Sequence, residues 1–568
     1  MKIVFAPVIF QARLVTGSSA LNYNLPTVSY PQFNTEKGMI ARMKHRLFPL
    51  IIILLLLCAC TADSDGESSQ GYSYDKSRLN YIQSMQSKWK IGDGLTLDWY
   101  INVDDTDYIG DWSDYTVLHD ACEITGVTPR IILPNGSAKQ TMDLMISTNT
   151  LPDLITLLVD DSTVDALIEN GMLYSLNDLM AKYAPQMRSE ISKEVYDYTK
   201  SEKDDKLYGL PSFFVPQQQM ENRKEIGLTA YSVREDFYTE LGRPDISSKD
   251  GLLEALRAFS ARYPTVDGTK SIPLHLGTDG HGLSVLEQSF AIPPFYVDGD
   301  KVYIKYKHPN YEEFTRFVNQ LYREGLIDPH FLLAKEPEVT KELSNNAFVS
   351  IRNWFEYEDV NLNLKSLFTQ FITVPPFRIS DKAVFPSKDR KGWTVTMVSK
   401  RSKDPETAIR LLHFLWSNDG NLLLNYGYEN KSYIIEGEND LYLLSPVGEE
   451  DVFGIQKSGI FLFRFLYNSK YSQPSVRTDI WNNVDKYVED WTGYSYKMRP
   501  IPTAAEGTVQ TAVDDIVARQ LPNMIFAESS EKAVAQLNRM IEMMEKEGLT
   551  VLEDYYTRRY AKNLERFS

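Results

Sequence analysis

Cysteine is scarce. Three occur in 568 residues, and two of them, Cys58 and Cys60, stand together at the end of an apolar run. Cys122 is left alone, which excludes a disulfide framework and a cysteine metal site. Histidine is also rare, at seven, with no HExxH and no paired spacing, so a zinc centre is not expected. GxSxG is missing, and "VDGTKS" (Val266–Ser271) lacks the glycine spacing of a phosphate loop. Positive charge is short as well: the chain carries −17. Residues 1–59 hold six of the basic residues and one acid, so the remainder carries −22. Such an acidic body repels phosphate backbones and anionic lipid surfaces, which argues against a nucleic-acid partner.

What is present begins with "RLFPLIIILLLLCACTADSDGESSQ". Its apolar run, Leu47–Ala59, spans about 13 residues, short of the roughly 20 that a membrane-crossing helix needs. It suits the apolar region of a signal peptide, with Lys44 and Arg46 as the positive flank. Leu57-Cys58-Ala59-Cys60 resembles the lipobox of bacterial lipoproteins, and that resemblance implies lipidation at Cys60. Met43 is well placed as a start, with residues 1–42 then arising from a misassigned start codon; an unusually long positive region is the rival reading. The stretch "TADSDGESSQGYS" is too poor in apolar residues to fold and reads as a tether. Residues 60–92 are expected to be this flexible tether and a lead-in helix.

Aromatic residues are abundant, at 12%, with 34 Tyr and 8 Trp; they serve cores, and they also stack on the apolar faces of sugars. Hydrophobic periodicity orders the middle of the chain. "LTLDWYIN" (Leu95–Asn102) alternates like a half-buried strand. A helix ending at Gly126 follows, then a strand in "TPRIILP", a helix over Lys139–Ser147 and a strand in "LPDLITLLV". That alternation predicts an α/β fold with a mostly parallel sheet covered by helices on both faces. Farther on, Phe314, Phe317, Val318, Leu321 and Tyr322 fall at helical spacing. Asp404-Pro405-Glu406 reads as a helix start. Val534, Leu537, Ile541 and Met544 form a stripe that stops at Gly548. "GTDGHG" (Gly277–Gly282) reads as a plain loop outside any strand-to-helix frame.

Several segments together resemble the extracellular solute-binding proteins of ABC importers, family 1, the LplA-like lipoproteins. They are "STNTLPDLITL", "NGMLYSLNDLMAKYAP", "DDKLYGLPS", "VREDFYTELG", "LYREGLIDP", "SKDPETAIRLLHFLWSNDGNLLLNYG" and "YYTRRYAKN". Asp205 stands where the family's Asp-Gly-Lys pattern has glycine. The likeness spans roughly residues 93–565. It implies a two-lobed, periplasmic-binding-protein-like (type II) fold with a hinge and extra C-terminal helices. Lobe 1 would hold 93–214 and 374–428, and lobe 2 would hold 215–373 and 429–568. "ITVPPF" (Ile372–Phe377) looks like a return crossing, because Pro375-Pro376 enforces extended backbone.

Ligands of α/β lobes meet the carboxyl ends of strands. That rule selects Trp99 and Tyr100 at the end of the first strand, and Asp160 and Asp161 just past the third. Phe213 and Phe214 follow "YGLP" at the first expected crossing. "SIRNWFEYED" resembles the family segment that supplies a stacking tryptophan, which points to Trp354 and Tyr357. Asp104, Asp105 and Asp107 read as a solvated loop, with a calcium site the alternative, since Ile109 breaks the EF-hand spacing. Aromatic platforms and carboxylate acceptors suit an uncharged oligosaccharide. The resemblance implies a lipid-anchored receptor on the outer face of the bacterial cytoplasmic membrane, partnered by ABC permease subunits. No catalysis, cofactor or metal is expected. A secreted carbohydrate-active enzyme, or a receptor for a peptide or other polar solute, are the competing readings.

Overall fold

In a computed structural model the described residues all fall within one compact unit, Tyr74–Ser568. The structure describes residues 76–102, 110–134, 137–214, 229–277, 281–332, 341–343, 346–353, 360–361, 364, 367–383, 385–386, 392–436, 440–444, 458–460, 462–469, 487–489 and 495–567. The apolar run, Cys60 and the loop of Asp104, Asp105 and Asp107 lie outside these residues.

The described chain begins with α1 (Lys76–Trp89), β1 (Leu95–Ile101), α2 (Thr116–Thr125), β2 (Val127–Ile132), α3 (Ala138–Thr148) and β3 (Leu154–Leu158). The period-two and period-3.6 patterns read from the sequence account for each of the last five. Gly126 ends α2 in the left-handed region at φ +71°, and a Cβ there would lie 1.8 Å from the Gly92 carbonyl oxygen. Only glycine fits that turn. Next come α4 (Thr163–Glu169), α5 (Leu176–Tyr183), α6 (Lys193–Thr199) and β4 (Gly209–Pro211).

A second group follows: β5 (Thr229–Arg234), α7 (Lys249–Arg262), β6 (Ile272–His275), α8 (His281–Ser289), the hairpin β7 (Phe295–Asp298) and β8 (Lys301–Ile304), α9 (Tyr311–Arg323), β9 (Ala347–Asn353) and β10 (Phe371–Val374). The chain then returns through β11 (Thr394–Val398), α10 (Pro405–Trp416) and α11 (Asn418–Tyr426), and closes with α12 (Ala505–Ile525), α13 (Ser530–Lys546) and α14 (Leu549–Phe567). Asp404 caps α10 by accepting from the Thr407 amide at 3.0 Å, with Pro405 in the first turn, as its sequence predicts.

Two sheets organise the fold. The first has strand order β2-β1-β3-β11-β4; β1 runs parallel to β2 and β3, while β11 runs antiparallel to β3 and β4. The second has order β10-β5-β9-β6, with β6 and β9 parallel and β5 antiparallel to both neighbours. Both sheets are therefore mixed, each with a single strand that opposes the others.

The first sheet is buried on both faces. One face packs Leu97, Trp99 and Ile101 against α2, α5 and α10; the other packs Tyr100, Ile155, Leu157 and Met397 against Met142 and Leu167. A separate core joins the second sheet to α7, α9 and the three C-terminal helices. On α13 the buried stripe is Ala533, Leu537, Met540 and Met544, turned slightly from the expected one, which leaves Ile541 only partly buried.

Two expectations are corrected here. Phe463, Phe465 and Leu466, expected in the second lobe, belong to the core of the first sheet, where Phe463 packs edge-on against Trp99 and Trp112. The expected lead-in helix is α1, and it packs on that core: Ile82 and Trp89 are buried there and Arg78 pairs with buried Asp120. "GTDGHG" does sit in a strand-to-helix frame, because β6 precedes it and α8 begins at His281.

Cys122 is half-buried on α2. Burial pushes its thiol up to about 12 against a hydrogen bond with Thr128, and Asp111, Glu123 and Asp120 add to the rise. The thiolate is the reactive form. In the chain from residue 72 onward, where it is the one cysteine, maleimide at pH 8 should label the native protein at least about a hundredfold more slowly than the denatured one. Equal rates would refute that assignment.

Candidate functional site

The carboxyl ends of β1, β3 and β4 lie on one edge of the first sheet, beside the start of antiparallel β11. Backbone hydrogen bonds hold this edge together. The Val159 amide donates to the Trp393 carbonyl at 2.9 Å, and the Trp393 amide donates to the Ser212 carbonyl at 2.9 Å. The Ser212 and Thr394 hydroxyls meet at 2.7 Å, and Thr394 Oγ1 also donates to the Phe465 carbonyl at 3.0 Å. Four chain passes thus meet at Trp393.

Aromatic rings cover this edge. Half-buried Phe213 stacks on Tyr467, centroids 4.4 Å apart at 18°, and meets Trp393 edge-on at 6.2 Å. Half-buried Trp393 in turn stacks on Phe465 at 5.3 Å and 29°. Phe465 and Tyr467 are buried behind, and the Tyr467 hydroxyl shares a 2.6 Å hydrogen bond with that of Tyr426. Phe213 adopts φ +52°, a region a bulky side chain rarely enters. Its amide is held there by the Tyr467 carbonyl at 2.9 Å. Backbone strain of this kind concentrates at functional sites.

Trp393 follows Gly392, whose φ is +94°; a Cβ there would stand 2.3 Å from the Ser212 carbonyl oxygen. Gly392→Ala should therefore shift the Trp393 backbone, at a cost of about 1–3 kcal/mol, read as a lower denaturant midpoint with altered tryptophan emission. Wild-type values for both would count against this packing.

The sequence-selected residues divide. Asp160 is exposed on this edge, two residues past the end of β3. Asp161 is half-buried and accepts from the Thr163 amide at 2.8 Å, so its carboxylate fastens the start of α4. Phe213 belongs to the aromatic wall. Phe214 does not: it is 3% exposed, inside the first core and edge-on to Tyr198 at 5.4 Å. Trp99 and Tyr100 are corrected too, each at 0% exposure. Trp99 donates its indole N–H to Thr156 Oγ1 at 2.8 Å. Burial pushes the Tyr100 hydroxyl up to about 12 against a hydrogen bond with Thr141, and that hydroxyl donates to Asn102 at 2.5 Å. Successive residues of an interior strand face opposite sides, and both sides of this sheet are covered. Trp354 and Tyr357 lie outside the described residues.

Trp393 was missed. Its signal was Gly-Trp immediately ahead of "TVTMV", the apolar strand reached after the return crossing. In the second sheet the corresponding strand ends carry His275 and Arg352, both buried. His275 Nδ1 accepts from the Gly277 amide at 3.1 Å, and its Nε2 lies 3.3 Å from Glu342. Among the described residues no group of His, Cys, Asp or Glu could hold a metal ion.

The comparisons agree with the fold. No protein-family model matches the chain. Over 199 residues it is 27% identical to the fructooligosaccharide ABC transporter substrate-binding protein FusA of Streptococcus pneumoniae serotype 4; the match covers 33% of this chain and 36% of that protein. The chain thus spans little more than a third of the curated relative it matches. The FusA structure in complex with kestose superposes with a TM-score of 0.65 at 17% identity, covering 83% of this chain and 99% of that one. Alginate-binding protein AlgQ2, solved without calcium ion, gives 0.62 at 17%, with 84% and 99% covered. An HMO-binding, ABC-transporter-associated solute-binding protein from Bifidobacterium longum infantis gives 0.60 at 13%, with 83% and 99% covered. The fold is the two-lobed α/β fold of ABC-transporter solute-binding proteins.

Proposed function

We propose that this chain is the receptor of an ABC importer, anchored by a lipid on Cys60 to the outer face of the bacterial cytoplasmic membrane. It captures an oligosaccharide between its lobes and presents it to the permease subunits. The observation that carries the reading is the wall of Phe213 and Trp393, each backed by a second ring, at the carboxyl edge of the first sheet. Such a wall offers flat apolar faces to the C–H surfaces of sugar rings, and Asp160 beside it supplies a carboxylate for hydroxyls. The relative and the structural neighbours are named as binding proteins and not as enzymes, and FusA is named for fructooligosaccharide.

Lobe 1 would comprise 76–214, the return from about 374 to 428, and the stretch around 463–466. Lobe 2 would hold the second sheet and the C-terminal helices. Ligand bridging both would favour the closed population by its differential affinity for that state, with no bond made or broken. Trp354 and Tyr357, following β9, are proposed as the facing contacts.

The test is a melting-shift screen of the chain from residue 72 onward against oligosaccharides, kestose among them, followed by chromatography. A rise of Tm with one group of glycans, recovered intact, is expected. Cleaved glycans would make it an enzyme; shifts with peptides alone would make it a peptide receptor.

A further inference from the structure

The C-terminal helix α14 is fastened in both halves of the fold. Its first turns belong to the core of the second sheet through Leu549, Leu552 and Tyr556. There Glu553 accepts from Lys307 Nζ at 3.1 Å, and Thr557 Oγ1 accepts from the Val302 amide at 3.0 Å. Its last turns reach the end of α6 and the segment after it, which pack on the first core through Val195 and Leu207. Glu202 accepts there from Arg559, from Lys562 Nζ at 2.7 Å and from Arg566 at 3.2 Å. Arg566 also donates to the Asp197 carbonyl at 2.7 Å, and Phe567 stacks on Tyr198 at 4.6 Å.

The loop Ser495–Arg499 joins the same cluster. Tyr496 Oη donates to the Tyr198 carbonyl at 2.7 Å, Lys497 Nζ pairs with Asp165 at 2.7 Å, and Asn563 Nδ2 donates to the Tyr496 carbonyl at 2.7 Å.

We propose that the last two turns of α14, with the loop Ser495–Arg499, form the fixed pivot on which the two lobes turn. The inference rests on the two-lobed hinge reading above and not on the identity of the ligand. Two features favour a pivot over a clasp that releases on opening. First, the cluster stands beside crossings: Tyr198 also touches Phe214, beyond which the chain leaves for the second sheet, and Ser495–Arg499 leads into the C-terminal helices. Points near a hinge axis move least. Second, a 19-residue helix, roughly 28 Å long, is rigid at both attachments. Separating it from the first lobe would strip Glu202 of three cations at once.

Those groups are largely out of water, with Glu202, Arg559 and Arg566 side chains 20, 12 and 17% exposed. Burial alone would raise the Glu202 carboxyl; hydrogen bonds from Arg559 and Lys562, with the charges of Arg559 and Lys497, outweigh it and hold the group at about 2. The charge, and any stability it contributes, is fully present above the ordinary carboxylate range and lost only as pH falls toward 2.

The experiment uses the chain from residue 72 with Cys122→Ser, since Tyr74–Ser568 contains all the cores described. Spin labels at Lys139→Cys and Glu254→Cys, both exposed, report the lobe-to-lobe distance without any sugar. Glu202→Arg is expected to broaden the distance distribution about 1.5-fold and to lower Tm, and the exchanged pair Glu202→Arg with Arg559→Glu should recover part of both. An unchanged distribution, or a clean shift to one longer distance, would overturn the pivot. Should Glu202→Arg fail to fold, Glu202→Gln removes the charge alone and is read the same way. Because no ligand is added, failure here is distinct from failure of the oligosaccharide reading.

Discussion

Trp393→Ala is expected to weaken oligosaccharide binding roughly 30-fold, about 2 kcal/mol, while lowering Tm by only a few degrees. The asymmetry follows from its place. The ring is half-buried, with one side on Phe465 and its edge toward Phe213. Truncation removes one stacking partner, worth about 0.5–1.5 kcal/mol beyond the area lost, and opens no sealed cavity. A ligand that used the ring as a platform loses that whole surface. Titration calorimetry with the glycan found by the melting screen is the measurement. Full affinity with a large drop in Tm would move Trp393 into the core and leave the wall without its function.

Trp99→Ala should give the opposite pattern, a loss of about 3–5 kcal/mol in unfolding free energy with ligand affinity held in whatever fraction stays folded. The indole is fully buried, packed edge-on against Phe463 at 5.0 Å and hydrogen-bonded to Thr156. Removing it leaves a large void beside Phe463 in the core of the first sheet. Thr156 loses one partner but retains the Thr396 hydroxyl at 2.7 Å, so no polar group is stranded. Trp99→Phe, which keeps most of the volume, should cost about 1–2 kcal/mol. Denaturant unfolding checks both, and a Trp99→Ala protein of wild-type stability that had lost its ligand would reinstate Trp99 at the site.

The two tryptophans show where sequence reasoning reaches and where it stops. Alternation placed β1, β2 and β3 closely, and the glycine at 126 and the Asp404-Pro405 pair marked helix ends by local chemistry alone. Those signals live within a few residues. Whether the end of a strand looks into a groove depends on what covers it, and Trp99 is covered by Phe463, which lies 364 positions along the sequence. Trp393 owes its place to Ser212 and Phe465, two other passes of the chain. No window of sequence contains all three. Phe213, two residues past a strand end, lies in the aromatic wall, and Phe214 lies in the core because the left-handed turn at Phe213 sends the next side chain inward.

Assembly of the proposed binding wall from separate strands of sequence also constrains how it could be redesigned. Phe213, Trp393 and the Phe465–Tyr467 stretch are locked to one another through main-chain bonds. Grafting a single segment from a relative with another diet would leave its rings facing foreign supports. A change of cargo would then demand coordinated exchange at all three places, or substitutions confined to the ring tips.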